Sequence, residues 1–343
     1  MEQDKKELLR KWSLPAGCLA VAALSVWIYV ACFKAAFDIS DTAYIYIDQD
    51  DTADSVRVKI KEQARARSTA GFSLLKTFTG FEVKTGCYAA EPGDNMLHLF
   101  RNLKHGRQTP VRLTLPSVRT MDRMAGVLSR KLMLDSAATA RCFADTNFRR
   151  RYGCDTATLA CLFIPNTYEV YWNIPLEDFM KRMQRESHAF WTEERLAKAD
   201  KAGLTPQEVI TLASIVDEET ANNAEKPMVA GLYINRLRTG MPLQADPTVK
   251  FALRDFTLRR IYHNMLDTDS PYNTYRNTGL PPGPIRIPSI AGIDAVLNHA
   301  EHNYLYMCAK EDFSGTHNFA RTFAEHRLNA ARYTAALKRL NIK

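Results

Sequence analysis

The chain has 343 residues, 46% of them hydrophobic and 24% charged, with 15 Gly and 15 Pro. That composition excludes a disordered, collagenous or low-complexity protein, and the length suits two or three ordinary domains. Seven cysteines are too sparse for a disulfide scaffold, and 46 basic against 38 acidic residues leave a net charge of +8, which fits an anionic partner.

The first feature in chain order is a run of 22 residues without formal charge between Lys11 and Lys34. As a helix it is about 33 Å long, enough to cross a hydrocarbon core of ~30 Å. Trp12, Trp27 and Tyr29 suit the interfaces. The competing reading is a cleaved signal peptide, but the run is longer than a usual h-region and lacks a small-x-small cleavage site. A lipoprotein site at Cys32 is disfavoured by Tyr29. The expectation is a cytoplasmic tail over 1–12, a transmembrane helix over 13–33, and the rest outside the membrane. Orientation rests on Lys5, Lys6, Arg10 and Lys11 before the run, against Asp38 and Asp41 after it. An outward-facing chain makes nucleic acid a poor partner. Anionic lipid or acidic cell-wall polymer fits the charge better. No C-x-x-C occurs; Cys142, Cys154 and Cys161 are near enough in sequence for a disulfide, with the pairing open.

Ala43 to Ile47 is expected as a strand, followed by a helix opened at Asp50-Asp51-Thr52. Gly86-Cys87-Tyr88 is expected as a second strand. Asp94 is a candidate cap for a helix over Asn95–Lys104, ended by Gly106. Val111 to Leu115 alternates as a strand does. Together these give a small α+β unit over 42–115. Residues 117–160 are expected to be helical, with Arg149-Arg150-Arg151 as a solvated loop. Phe163 to Tyr168 leads into a strand, and one charged helix is expected over Leu176–Ala199.

Thr205-Pro206-Gln207-Glu208 is a strong helix start: an N-cap, a Pro at the first turn and a capping box. Val209, Leu212, Ala213 and Val216 make an apolar stripe. On this wheel Glu219 falls at the edge of the stripe, Glu218 points away, and Asp217 lies about 160° from Glu219. A carboxyl at the margin of an apolar face is partly desolvated, which raises its pKa and suits it to proton transfer. A surface acid remains the alternative on spacing alone. A second helix is expected over Met228–Arg238. Downstream, Pro-framed loops carry Gln244, Asp246, Tyr272, Asn273 and Tyr275. Such side chains stack on sugar rings and bind hydroxyls, although Tyr272 and Tyr275 could equally be core. His299-x-x-His302 has metal-ligand spacing but no supporting Cys or carboxylate pattern, so neither a metal nor a cofactor is expected.

Five runs then resemble one family in order and spacing, the YceG-like endolytic murein transglycosylases, or MltG family. They are Ala213 to Thr220, Tyr233 to Leu237, Leu243 to Val249, Tyr272 to Tyr275 and Thr278 to Pro282. The resemblance extends from about Ile45 onward and is faint in the first third. It implies an α+β chain with an N-terminal transmembrane helix in the inner (plasma) membrane. A LysM-like module over 42–115 and a mainly α-helical catalytic domain with short strands over 116–343 would lie outside. It implies internal cleavage of peptidoglycan strands between N-acetylmuramic acid and N-acetylglucosamine, leaving a 1,6-anhydro end, in trimming or terminating nascent strands beside peptidoglycan synthases. The family's catalytic Glu falls on Glu219 and its first acid on Asp217, one methylene shorter; Glu218 replaces a basic residue. Gln244, Asp246, Tyr272, Asn273 and Tyr275 are the expected saccharide contacts, with supporting roles for Asp217, Asn235 and His317. Two rivals stay open: a muramidase-type hydrolase using water, and a cell-wall-binding assembly factor without catalysis.

Overall fold

The computed structural model describes residues 2–340 except Arg259, with side chains inside the first helix described from residue 15 onward. The lysines and arginine on which the orientation argument rests lie outside the described side chains. The chain divides into two compact units, one of Met1–Leu113 with Lys131–Met133 and Glu169–Ile174, the other of Thr114–Arg130, Leu134–Tyr168 and Pro175–Lys343.

The first unit opens with α1 (Glu2–Phe33), in which Pro15–Phe33 is long and apolar enough to cross a membrane. Its side chains are almost all exposed, Leu19, Val26 and Tyr29 among them. Then come β1 (Ala43–Ile47), α2 (Ala53–Gln63), α3 (Ala70–Thr79), β2 (Gly86–Ala90), α4 (Met96–His105) and β3 (Val111–Thr114). β1 and β2 pair antiparallel, Ala43 opposite Ala90 and Ile47 opposite Gly86. Thr52 and Ser55 form a capping box at the start of α2. The cap of α4 is Asn95, not Asp94: the Asn95 side chain accepts from His98 N, while Gly106 ends the helix in the left-handed region. Ile45, Ile47, Val56, Ile60, Phe72 and Leu99 form this unit's core. α3 occupies a stretch with no clear pattern in the sequence.

The second unit is helix-rich. It contains α5 (Met121–Lys131), α6 (Ser136–Ala144), α7 (Thr146–Arg150) and a 3-10 turn over Leu159–Leu162, and the first half of β4 (Thr167–Val170). Next are α8 (Leu176–Phe190), α9 (Glu193–Ala202), α10 (Pro206–Glu219), α11 (Lys226–Arg238) and α12 (Asp246–Leu253). α13 (Ile290–Leu297), the antiparallel pair β5 (Tyr306–Ala309) and β6 (His317–Ala320), and α14 (Phe323–Arg339) complete it. The whole is a mixed, helix-rich chain with small two-stranded sheets. α10 packs against α11 and α13, and Val209, Leu212, Ile215, Leu232, Ile293 and Val296 fill the space between them.

Three expectations are corrected. The charged helix over 176–199 is two helices, because Thr192 accepts from Arg195 N and starts α9 afresh. The helical stretch over 117–160 is cut by Asp135 and Asp145, whose carboxylates cap α6 and α7. The arginine triplet is not a solvated loop: Arg149 lies in α7, is buried, and donates to the Phe143 carbonyl at 2.8 Å. All seven cysteines are free thiols, Cys32, Cys87 and Cys161 buried.

Candidate active site

The site begins with the burial of α10. Thr205 accepts from Glu208 N and Glu208 reaches back to Thr205 N, so the helix start is locked. From Val209 to Val216 every residue is buried. The helix is therefore enclosed on all sides, not along one stripe. Its last turn, Asp217-Glu218-Glu219, carries three carboxylates out of an apolar interior, and each meets a different neighbour.

Asp217 pairs with Lys226 Nζ at 2.7 Å and accepts from Ser289 N at 2.6 Å and Ser289 Oγ at 3.0 Å. Ser289 in turn caps α13. Gly292 is needed there, since a Cβ would stand 2.5 Å from Asp217 Oδ1. Asp217 thus ties α10 to α11 and α13. Glu218 does not point to solvent. It receives Arg119 Nε at 2.7 Å and Nη2 at 2.8 Å, and Arg286 Nη1 at 3.0 Å. The outer face of α10 is covered by these two arginines and not by solvent, so the position of Glu218 on the helical wheel did not make it a surface acid.

Glu219 has neither lysine nor arginine within ion-pair distance among the described residues. The Tyr233 hydroxyl on α11 donates to its Oε1 at 2.8 Å. Burial pushes the Glu219 carboxyl up to about 7, and the Asp246 charge adds to the rise; the Tyr233 hydrogen bond and the charges of His317 and Arg236 oppose it.

The carboxyl opens into a cleft of about 260 Å³ lined also by Tyr233, Arg236, Gln244, Asp246, Tyr275 and His317. Asp246 starts α12 and accepts from the Tyr275 hydroxyl at 2.6 Å. Gln244 sits at φ 49°, a region that non-glycine residues seldom occupy. It is held there by Gln244 N donating to Thr274 O at 3.1 Å and Ala245 N donating to Thr274 Oγ1 at 3.0 Å. His317 N donates to Glu225 Oε1 at 2.6 Å, and His317 Nδ1 stands 2.9 Å from Glu225 Oε2.

Tyr272 and Asn273 do not line this cleft. The Tyr272 ring packs on Phe251 with centroids 4.7 Å apart and faces another cavity. Asn273 is fully buried; its Nδ2 donates to the carbonyls of Leu266 and Thr268, both at 2.8 Å, and its Oδ1 accepts from Tyr275 N. It shapes the loop that presents Tyr275. Asn235 likewise serves the scaffold, donating to His302 O at 2.7 Å and Tyr304 O at 3.2 Å. His299 Nδ1 and His302 Nε2 stand 3.0 Å and 2.9 Å from the carbonyls of Val296 and Met228.

Sequence reasoning missed Tyr233, Arg236 and Glu225. The available signal was Tyr233 and Arg236 at i and i+3 on a helix, hence on one face. Arg236 donates to Leu305 O at 2.7 Å and Leu243 O at 2.5 Å, and burial pulls its pKa down.

The helix-rich unit thus holds in a polar cleft a partly buried acid, Glu219, without a cation partner among the described residues. The YceG-like family model matches residues 45–332, and the chain belongs to that family. It is 35% identical over 161 residues to the endolytic murein transglycosylase of Bacillus subtilis strain 168, covering 47% of this chain and 44% of that one. It is 26% identical over 302 residues to the protein of the same name from Streptococcus pneumoniae D39, covering 76% of this chain and 52% of that one. The chain thus spans about half the length of these curated relatives. A crystal structure of a YceG-like protein from Listeria monocytogenes matches with a TM-score of 0.56 at 24% identity, covering 84% of this chain and 99% of that one, a likeness of fold.

Two outcomes are expected from this geometry. In a carbon-13 NMR titration the Glu219 carboxyl should titrate near 7, and Tyr233→Phe should move the midpoint upward, because the lost hydrogen bond favours the carboxylate. A midpoint that falls would contradict the arrangement. Glu218→Gln should cost about 1–3 kcal/mol in chemical denaturation, since two guanidinium groups lose a charged acceptor.

Proposed function

We propose that this chain is an endolytic peptidoglycan lytic transglycosylase with Glu219 as its single acid and base. The observation that carries the reading is the placement of Glu219: withdrawn from water, hydrogen-bonded only by Tyr233 and free of a cation partner among the described residues, in a cleft with polar and aromatic walls, where burial pushes its pKa up to about 7. The neutral carboxyl donates its proton to the glycosidic oxygen as the bond to muramic C1 breaks. The resulting carboxylate takes the proton of the muramic C6 hydroxyl, whose oxygen closes on C1 to give the 1,6-anhydro end. The proton balance closes without water as nucleophile. A pKa near the working pH serves both halves. Gln244, Asp246 and Tyr275 are the proposed saccharide contacts, and His317 a neighbour of the site held by Glu225.

A second reading has one observation in its favour: Asp246 shares the cleft, so two carboxylates are present as in a hydrolase. The Tyr275 hydroxyl engages that carboxylate, which favours a binding role. The reaction product separates the two readings.

Glu219→Gln should abolish release of anhydro-muropeptides from purified sacculi, a loss beyond the ~10²–10⁴-fold of one acid–base step. Sacculus pull-down should persist, as the resemblance of residues 42–115 to a LysM-like glycan-binding module implies. The β1–α2–α3–β2 order with antiparallel ends supports that module. Products with reducing muramic ends would favour the hydrolase, and near-wild-type release by the folded variant would sink the mechanism. Folding is checked by melting temperature. The folded-state pKa of Glu219 is raised, so wild-type protein loses stability as pH rises from the ordinary carboxylate range to about 7. The variant lacks that loss and should gain on wild type over the same window.

We also infer that Pro15–Phe33 spans the plasma membrane with the N-terminus cytoplasmic and residues beyond Lys34 outside. Its exposed apolar surface supports this. The chain should stay in the membrane pellet after alkaline carbonate, and protease added outside spheroplasts should digest it. Resistance of the intact chain would reverse the orientation.

A further inference from the structure

The second unit holds another, larger cavity of about 470 Å³. It shares its frame with the Glu219 cleft. α12 gives Asp246 to the cleft and Phe251 to the cavity, and the loop over 271–275 gives Tyr275 to one and Tyr272 to the other.

Four arginines line the cavity, Arg119, Arg149, Arg254 and Arg286, against a single acid, the exposed Asp122. Glu218 already neutralises part of this charge by pairing with Arg119 and Arg286. Arg149 and Arg254 form no ion pair among the described residues. Arg149 is 6% exposed; its Nη1 and Nη2 are met by Phe143 O and Thr146 Oγ1, and its Nε is buried without an acceptor. Arg254 is exposed at the cavity rim and lies over the Phe251 ring, 5.3 Å from its centroid, on a backbone with φ 55°. For Arg149, a guanidinium withdrawn from water costs free energy unless an anion meets it, while Arg254 offers its charge at the open side. The wall also carries the aromatic rings of Phe143, Phe251 and Tyr272. The cavity therefore suits a short ligand that carries both carboxylates and hydrocarbon. Sugar hydroxyls need no such charge.

We propose that this cavity binds the carboxylated stem peptide borne by muramic acid, so that the chain selects peptide-bearing strands over stripped ones. The proposal rests on peptidoglycan being the substrate of the neighbouring cleft. It gives Tyr272 a place beside the substrate that the cleft does not offer.

The test uses the full chain in detergent and the variant Arg254→Asn, since Asn tolerates the left-handed backbone at that position. The probe is a fluorescent L-Ala–γ-D-Glu–meso-diaminopimelate tripeptide. Loss of one charge-assisted contact should weaken binding about 10-fold, and the ratio of kcat/KM on peptide-bearing over amidase-stripped strands should fall about 10-fold. Equal tripeptide affinity in both proteins, no saturable binding, or an unchanged ratio would overturn the proposal. So would Arg254-dependent binding of inorganic pyrophosphate without binding of the tripeptide. If tripeptide binding depends on Arg254 while the wild type cuts neither strand, the cavity assignment stands and the lytic activity falls.

Discussion

A charged group leaving an apolar interior must be paired, hydrogen-bonded or neutral. The last turn of α10 meets that demand in three ways at once. Asp217 takes a lysine and a serine cap, Glu218 takes two arginines, and Glu219 takes only a tyrosine hydroxyl. A phenol supports a carboxylate far less than a cation does, so Glu219 keeps its proton to near neutrality. Had a guanidinium reached it, the carboxyl would have been permanently ionised. Arg236 is close enough to temper the pKa, yet its Nε and Nη1 are turned to the carbonyls of Leu305 and Leu243.

The cleft opposite Glu219 depends on polar side chains that do not line it. Thr248 and Thr274 share a buried hydrogen bond of 2.8 Å, which ties the start of α12 to the loop before Tyr275. Asn273 holds that loop from within, and Asn235 fixes the segment leading into β5. Buried amides at such positions act as backbone substitutes: each satisfies carbonyls that no helix or sheet can reach.

What was legible in the sequence was local. The capping box at Thr205, the pairing-prone strands around Ile45 and Cys87, and the position of Glu219 on its helix follow from spacing within a few residues. The partners do not. Glu218 meets Arg119 across 99 positions and Arg286 across 68, and Asp217 meets Ser289 across 72. No periodicity encodes such pairs, so the outer face of α10 looked solvated. Tyr272 and Tyr275 show the same limit: in a loop without regular period, three residues suffice to send two tyrosines to different cavities. Arg149 shows it for charge, because a triplet of arginines reads as surface until one of them is found capping a chain turn from inside.

The free cysteines have a consequence for how the chain matures. Burial pushes the thiols of Cys87 and Cys154 up to about 11 and that of Cys161 up to about 12. The thiolate is the species that attacks disulfides and oxidants, and at neutral pH it is scarcely populated in these three. Once the chain is folded, these three sulfurs are poor nucleophiles toward oxidants. Folding thus shields these three sulfurs from the redox poise of whatever compartment surrounds them.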